Sequence, residues 1–105
     1  MYIRRYVKYV DSDLMKAIAT VQIENERVIV TEYRFAPGAE TGHHVHPHDY
    51  VVVPLTSGIL RLEEAGGMRD APLTAGVSYT RPAGVAHNVI NANDYEFCFL
   101  EIELK

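Results

Sequence analysis

Residues 76–91 read Gly76-Val77-Ser78-Tyr79-Thr80-Arg81-Pro82-Ala83-Gly84-Val85-Ala86-His87-Asn88-Val89-Ile90-Asn91. Two strand-like runs, at about 77–81 and 86–91, flank Pro82-Ala83-Gly84. Proline fixes one backbone dihedral and glycine reaches positive φ without a side-chain clash, so this tripeptide predicts a stiff turn. Such a turn aims His87 inward from the start of the second run.

The same alternation of short runs and turn residues extends toward the N-terminus. Pro37-Gly38 is a turn, a histidine-rich segment spans His43 to His48, and Val51-Val52-Val53 is a β-branched run. Pro54 cannot donate to a strand ladder and belongs at a bulge or sheet edge. Ser57-Gly58 leads into Ile59 to Glu63, and Gly66-Gly67 turns again. Further upstream, residues 2–9 read as a strand, Asp11-Ser12-Asp13 breaks it, and Leu14 to Ala19 suits a helical turn or an irregular bridge. Val21 to Glu24 and Arg27 to Phe35 follow as strands joined through Asn25-Glu26, and a last strand runs from about Tyr95 to Glu103. At least eight short strands and no long helix predict an all-β sandwich or barrel rather than an open sheet.

The chain has 105 residues, which suits a single domain over 1–105. Apolar residues make up 48% of it, enough for a core that needs neither disulfides nor metal to fold. A bound metal would therefore serve function. Net charge is -4. Arg4, Arg5 and Lys8 interleave with Tyr2, Tyr6 and Tyr9, yet an acidic domain argues against nucleic acid as a partner. The single cysteine, Cys98, lies in an apolar run and reads as a packed core thiol. No signal-peptide pattern and no apolar stretch of membrane-spanning length are present, so the expectation is a cytoplasmic protein without a membrane partner.

Four of the five histidines fall between His43 and His48. Side chains two apart on a strand share a face, so His44 and His46 point together while His43 points away. His48 keeps that parity only if the strand continues past Pro47. Two imidazoles rarely complete a metal site, and His87 is the only other histidine, so His44, His46 and His87 form the candidate ligand set.

These residues resemble the two cupin motifs. Gly38, His44-x-His46 and Gly58 match the first, over about residues 38–58. Gly76, Pro82-x-Gly84-x-x-His87 and Asn91 match the second at each fixed position, over about 76–91. The runs DYVVVPLTSG from Asp49 and AGVSYTRPAGVAHNVIN from Ala75 also resemble small bacterial cupins named for β-alanine degradation. The resemblance implies a single-domain jelly-roll β-barrel, often dimeric, with a divalent transition metal inside. It also implies a glutamate ligand four or five residues after the second histidine. Tyr50 and Val51 stand there instead, and the nearest carboxylate is Asp49. A three-histidine site with water, or one completed by His48 or Asp49, remain as alternatives. Iron, nickel, manganese, copper and zinc all suit such ligands.

Other residues are candidates around that site. Tyr50 offers a phenol as proton donor or anion anchor, or packs. Asn91 shares parity with His87, or caps a turn before Asn93-Asp94. Arg34, Arg61 and Arg81 lie in or beside strands, and an inward arginine would mark an acidic substrate. Arg81, directly before the turn, is the favoured one. Phe97 and Phe99 share one face of the last strand, and Cys98, Leu100, Ile102 and Leu104 the other. With only the second face inside, exposed phenylalanines would call for a homodimer.

The function expected is a metal-dependent enzyme acting on a small polar metabolite, with non-haem-iron-type oxygenation favoured and a metal-assisted lyase or isomerase close behind. The competing readings are a non-catalytic barrel that binds a metal or small molecule, and a metal-free sugar-nucleotide isomerase.

Overall fold

The structure, a computed structural model, describes residues 16–105. Among them are nine strands: β1 (Ile18–Glu24), β2 (Val28–Phe35), β3 (His44–Val45), β4 (Asp49–Pro54), β5 (Gly58–Glu64), β6 (Gly67–Leu73), β7 (Tyr79–Arg81), β8 (Ala86–Asn91) and β9 (Phe97–Leu104). They form a five-stranded sheet in the order β1-β2-β9-β4-β7 and a four-stranded sheet in the order β3-β8-β5-β6. Every strand pair is antiparallel. The strand expected at residues 2–9 lies outside the described residues.

Period-two alternation decides which side chains go in. Tyr50 and Val52 of β4, Leu60 and Leu62 of β5, Val89 of β8, and Phe97 and Phe99 of β9 meet Phe35 in one apolar core between the sheets. This corrects the expected orientation of the last strand. Phe97 and Phe99 are the inward pair, 0% and 4% exposed, and Phe99 lies 5.3 Å from Tyr33 and 5.6 Å from Phe35. Aromatic rings have the largest area to remove from water, so they claim the inner face and leave Leu100, Ile102 and Leu104 outside.

Two further boundaries differ from the sequence reading. Ile18 and Ala19 belong to β1 rather than to a helical turn or bridge, because they pair with Arg34 and Tyr33 of β2. The segment after Gly66-Gly67 is a full strand, β6, that carries Arg69, Asp70 and Pro72 and, among the described residues, pairs only with β5. An edge strand with few buried side chains has no apolar alternation to betray it, and proline is tolerated there. Pro54 closes β4 beyond the reach of β7, which pairs only as far as Val52.

Asn91 is a staple rather than a partner of the histidines. Its buried amide donates to the Phe35, Ala36 and Tyr95 carbonyls, and its Oδ1 accepts from the Asn93 backbone. Gly58 is required by close approach, since a Cβ there would lie 2.6 Å from the Tyr95 hydroxyl. Cys98 is buried, and burial pushes its thiol pKa up. Arg34 and Arg61 are surface residues, paired with Glu96 and Asp70. No helix among the described residues is long and apolar enough to cross a membrane.

Candidate metal centre

Backbone pairing brings the three histidines together before any side-chain interaction is counted. His44 of β3 stands opposite His87 of β8. His46 follows one residue past β3, and its backbone is clamped at both ends: its N–H donates to the Val85 carbonyl and its carbonyl accepts from Gly84. Gly84 has φ +93°, which only glycine adopts readily, so the Pro82-Ala83-Gly84 turn both aims His87 and holds His46.

The Nε2 atoms of His44 and His87 each lie 3.1 Å from Nε2 of His46. One ligand atom from each of the three residues falls within 4.8 Å of the others. Each nitrogen pair 3.1 Å apart would subtend roughly a right angle at an ion about 2.1 Å from both. The inner cavity beside the imidazoles has about 20 Å³ of free space, room for an ion or a single water. The residues present therefore fit a bound first-row metal.

Electrostatics point the same way. Burial, followed by the neighbouring imidazoles and Arg81, lowers the pKa of His46 to about 4. Burial and then His44 lower that of His87 to about 4. Both rings are thus neutral near pH 7, and a neutral imidazole is the form that binds a metal. His44 is oriented from behind: its Nδ1 lies 2.9 Å from the Gly42 carbonyl, whose own N–H donates to Asn88 Oδ1. A donating Nδ1–H leaves Nε2 as the free lone pair. His46 stacks on Tyr50 with ring centroids 3.8 Å apart and planes 17° apart. Its Nδ1 faces Glu101 Oε2 at 4.0 Å. Nδ1 of His87 is buried with no hydrogen-bond partner among the described residues.

The other candidates divide cleanly. His48 turns to Glu103, 3.1 Å away, and Asp49 accepts a hydrogen bond from the Ala83 backbone at 2.8 Å. Neither joins the imidazole group, so the structure does not bring either proposed fourth ligand to it. Pro47 redirects the chain between His46 and His48, which breaks the parity. His43 is exposed. Tyr50 and Arg81 are register partners on β4 and β7, and both line the inner cavity. The Tyr50 hydroxyl is buried without a partner among the described residues, and burial pushes its pKa up to about 12. Arg81 also lines an adjoining cavity of about 200 Å³, walled by Leu62, Arg69, Ala71, Leu73 and Tyr79. Glu64 holds the outer side of this arginine at 3.5 Å.

Glu101 was not foreseen. The residue lies 5% exposed on the inner face of β9, and burial, with Glu103 adding, raises its pKa to about 7. The signal was its shared parity with Phe97 and Phe99, which becomes informative only once that face is known to point inward.

Two antiparallel sheets closed over one core, with three converging imidazoles between strands, define a jelly-roll β-barrel with a candidate metal centre. The cupin domain family model matches residues 31–103, and the chain belongs to the cupin family. The β-alanine degradation protein BauB of Pseudomonas aeruginosa is 63% identical over 90 residues, covering 86% of this chain and 95% of that protein. A crystal structure of a cupin domain protein from Bordetella pertussis is 64% identical, with a TM-score of 0.85 over 86% of this chain and 94% of that one. An uncharacterised Klebsiella pneumoniae protein with a double-stranded β-helix domain shares the fold at 22% identity, with a TM-score of 0.70 over 94% of this chain and 90% of that one.

Proposed function

We propose that this cupin is a metal-dependent enzyme acting on a small carboxylic acid, with iron-dependent oxygenation as its reaction class. The observation that carries the reading is the convergence of three imidazoles, two of them neutral at pH 7, with His44 and His87 lining an inner cavity that shares Arg81 with an adjoining cavity of about 200 Å³. His44, His46 and His87 would hold the metal, which when bound supplies open positions for substrate and dioxygen or acts as a Lewis acid.

The chain's own residues define the rest of the site. Arg81 reaches both cavities and pairs its planar fork with the substrate carboxylate. Tyr50 keeps its phenolic proton at all physiological pH values and offers it as a hydrogen bond to the bound substrate. Leu62, Leu73 and Tyr79 give the adjoining cavity apolar walls. The name of the Pseudomonas relative supports a substrate of this class, since β-alanine is itself a short carboxylic acid.

The test is elemental analysis of untagged protein followed by oxygen-electrode assays of the iron-loaded form with a panel of short carboxylic acids. Stoichiometric metal and substrate-dependent oxygen uptake, lost in Arg81→Leu, is the expected result. Stoichiometric metal without turnover would favour a binding barrel or a lyase instead. We also propose a homodimer, formed through the outer face of the five-stranded sheet rather than through Phe97 and Phe99.

A further inference from the structure

Strand β4 presents Tyr50 and Val51 where the family pattern has a carboxylate, but its neighbour β9 does present one. Glu101 is the ladder partner of Val52 and faces inward with Phe97 and Phe99. Its Oε2 lies 4.0 Å from Nδ1 of His46, and both side chains are more than nine-tenths buried. That nitrogen is on the far side of the ring from Nε2, the atom that meets the other two imidazoles. Glu101 therefore stands behind His46 rather than beside the ion position. His44 already has such a partner in the Gly42 carbonyl.

We propose that Glu101 is a positioning residue for the metal centre: its carboxylate accepts the His46 Nδ1–H and keeps Nε2 free to ligate. The inference rests on the metal-centre reading above. At 4.0 Å the pair is about 1 Å too long for a direct hydrogen bond. The Tyr50 ring stacks on His46, so closing the pair to hydrogen-bond distance would require the Glu101 side chain to shift. A carboxylate in that position fixes the tautomer and makes the imidazole a stronger donor, as outer partners of ligating histidines do generally. It thereby recovers from β9 part of what β4 lacks, without occupying a position on the ion.

The experiment is competition for Zn²⁺ between a chromophoric chelator and the metal-free full-length protein, as parent, Glu101→Gln, Glu101→Leu and His46→Ala. Zinc affinity should fall about 10-fold in Glu101→Gln and up to about 100-fold in Glu101→Leu. His46→Ala should lose stoichiometric binding. Glu101→Gln keeps the side chain's shape and removes a buried charge, so the metal-free variant should melt no lower than the parent. Nitrogen-15 spectra of the zinc-loaded, histidine-labelled parent should show a downfield His46 Nδ1–H resonance that moves in Glu101→Gln. If both Glu101 variants bind zinc as tightly as the parent, or affinity falls while that resonance stays in place, the positioning role is wrong. A parent that binds no zinc overturns the metal-centre reading along with it.

Discussion

Removing the Asp49 carboxylate should loosen a turn and leave the metal in place. Asp49 Oδ1 caps the Ala83 N–H, so Asp49→Ala acts on the Pro82-Ala83-Gly84 hinge and reaches His87 only through it. Metal stoichiometry should survive with affinity lowered by no more than about 10-fold. His87→Ala should bind no stoichiometric metal. A folded Asp49→Ala protein that purifies without metal would reinstate Asp49 as a ligand. A second expectation at this scale concerns pH. In metal-free protein His46 and His87 titrate at about 4, whereas an unfolded histidine titrates near 6.5. Between those values the unfolded chain binds more protons, so stability is fully present above pH 6.5 and is lost as pH falls toward 4. Glu101 opposes this, because its raised pKa of about 7 makes its ionised form unfavourable in the fold. Two histidines against one carboxyl leave a net loss of stability as pH falls. Urea midpoints in the presence of chelator, unchanged from pH 7 to 4.5, would contradict it. Residue spacing alone paired His44 with His46 and pointed to His87. It was silent on Glu101, whose meaning depends on which face of β9 is buried.

Elements with strong local signals were readable, and elements defined by their neighbours were not. The β7–turn–β8 unit combines a rigid Pro-x-Gly turn with apolar runs, and its strands fall where the sequence put them. Strand β6 has neither signal, because it is an exposed edge that depends on pairing with β5. Strand β9 has apolar residues on both faces, Phe97 and Phe99 on one and Leu100, Ile102 and Leu104 on the other, so alternation located it without orienting it. The turn before β8 also yields a prediction. Gly84 holds φ +93° and donates to His46, and no atom would crowd a Cβ there. Gly84→Ala therefore tests backbone strain without steric overlap. A side chain in that region costs about 1–2 kcal/mol, which should appear as a lower unfolding midpoint. Because the strained residue is tied to one ligand and three residues from another, metal affinity should fall with it. Unaltered stability and unaltered metal binding would mean that the turn relaxes freely and does not set the ligands.

Across the whole molecule, reversing β9 removes the original reason for a dimer and supplies a better one. With Phe97 and Phe99 inside, the outer face of the five-stranded sheet carries Ile23, Val30, Ile102 and Val51 as one transverse row across β1, β2, β9 and β4. Leu100 and Val53 are paired on the same face one row away, and Val28 pairs with Leu104 on the other side. Ile18, Ile23 and Leu104 are 63%, 50% and 44% exposed among the described residues. An apolar surface that crosses four strands is unusual on the outside of a barrel and supports the proposed dimer. An isologous contact through it would place two such rows against each other about a twofold axis. Placing one charge in the row puts two like charges at that axis, so Ile102→Glu should dissociate the dimer. Its side chain is outside the core, and the metal site is reached from the other face of the sheet, so the variant should keep the parent's metal stoichiometry. Sedimentation equilibrium at micromolar concentration should give two chains for the parent and one for Ile102→Glu. A monomeric parent, or a dimer unaffected by the buried charge, would show that this face is not where two copies meet.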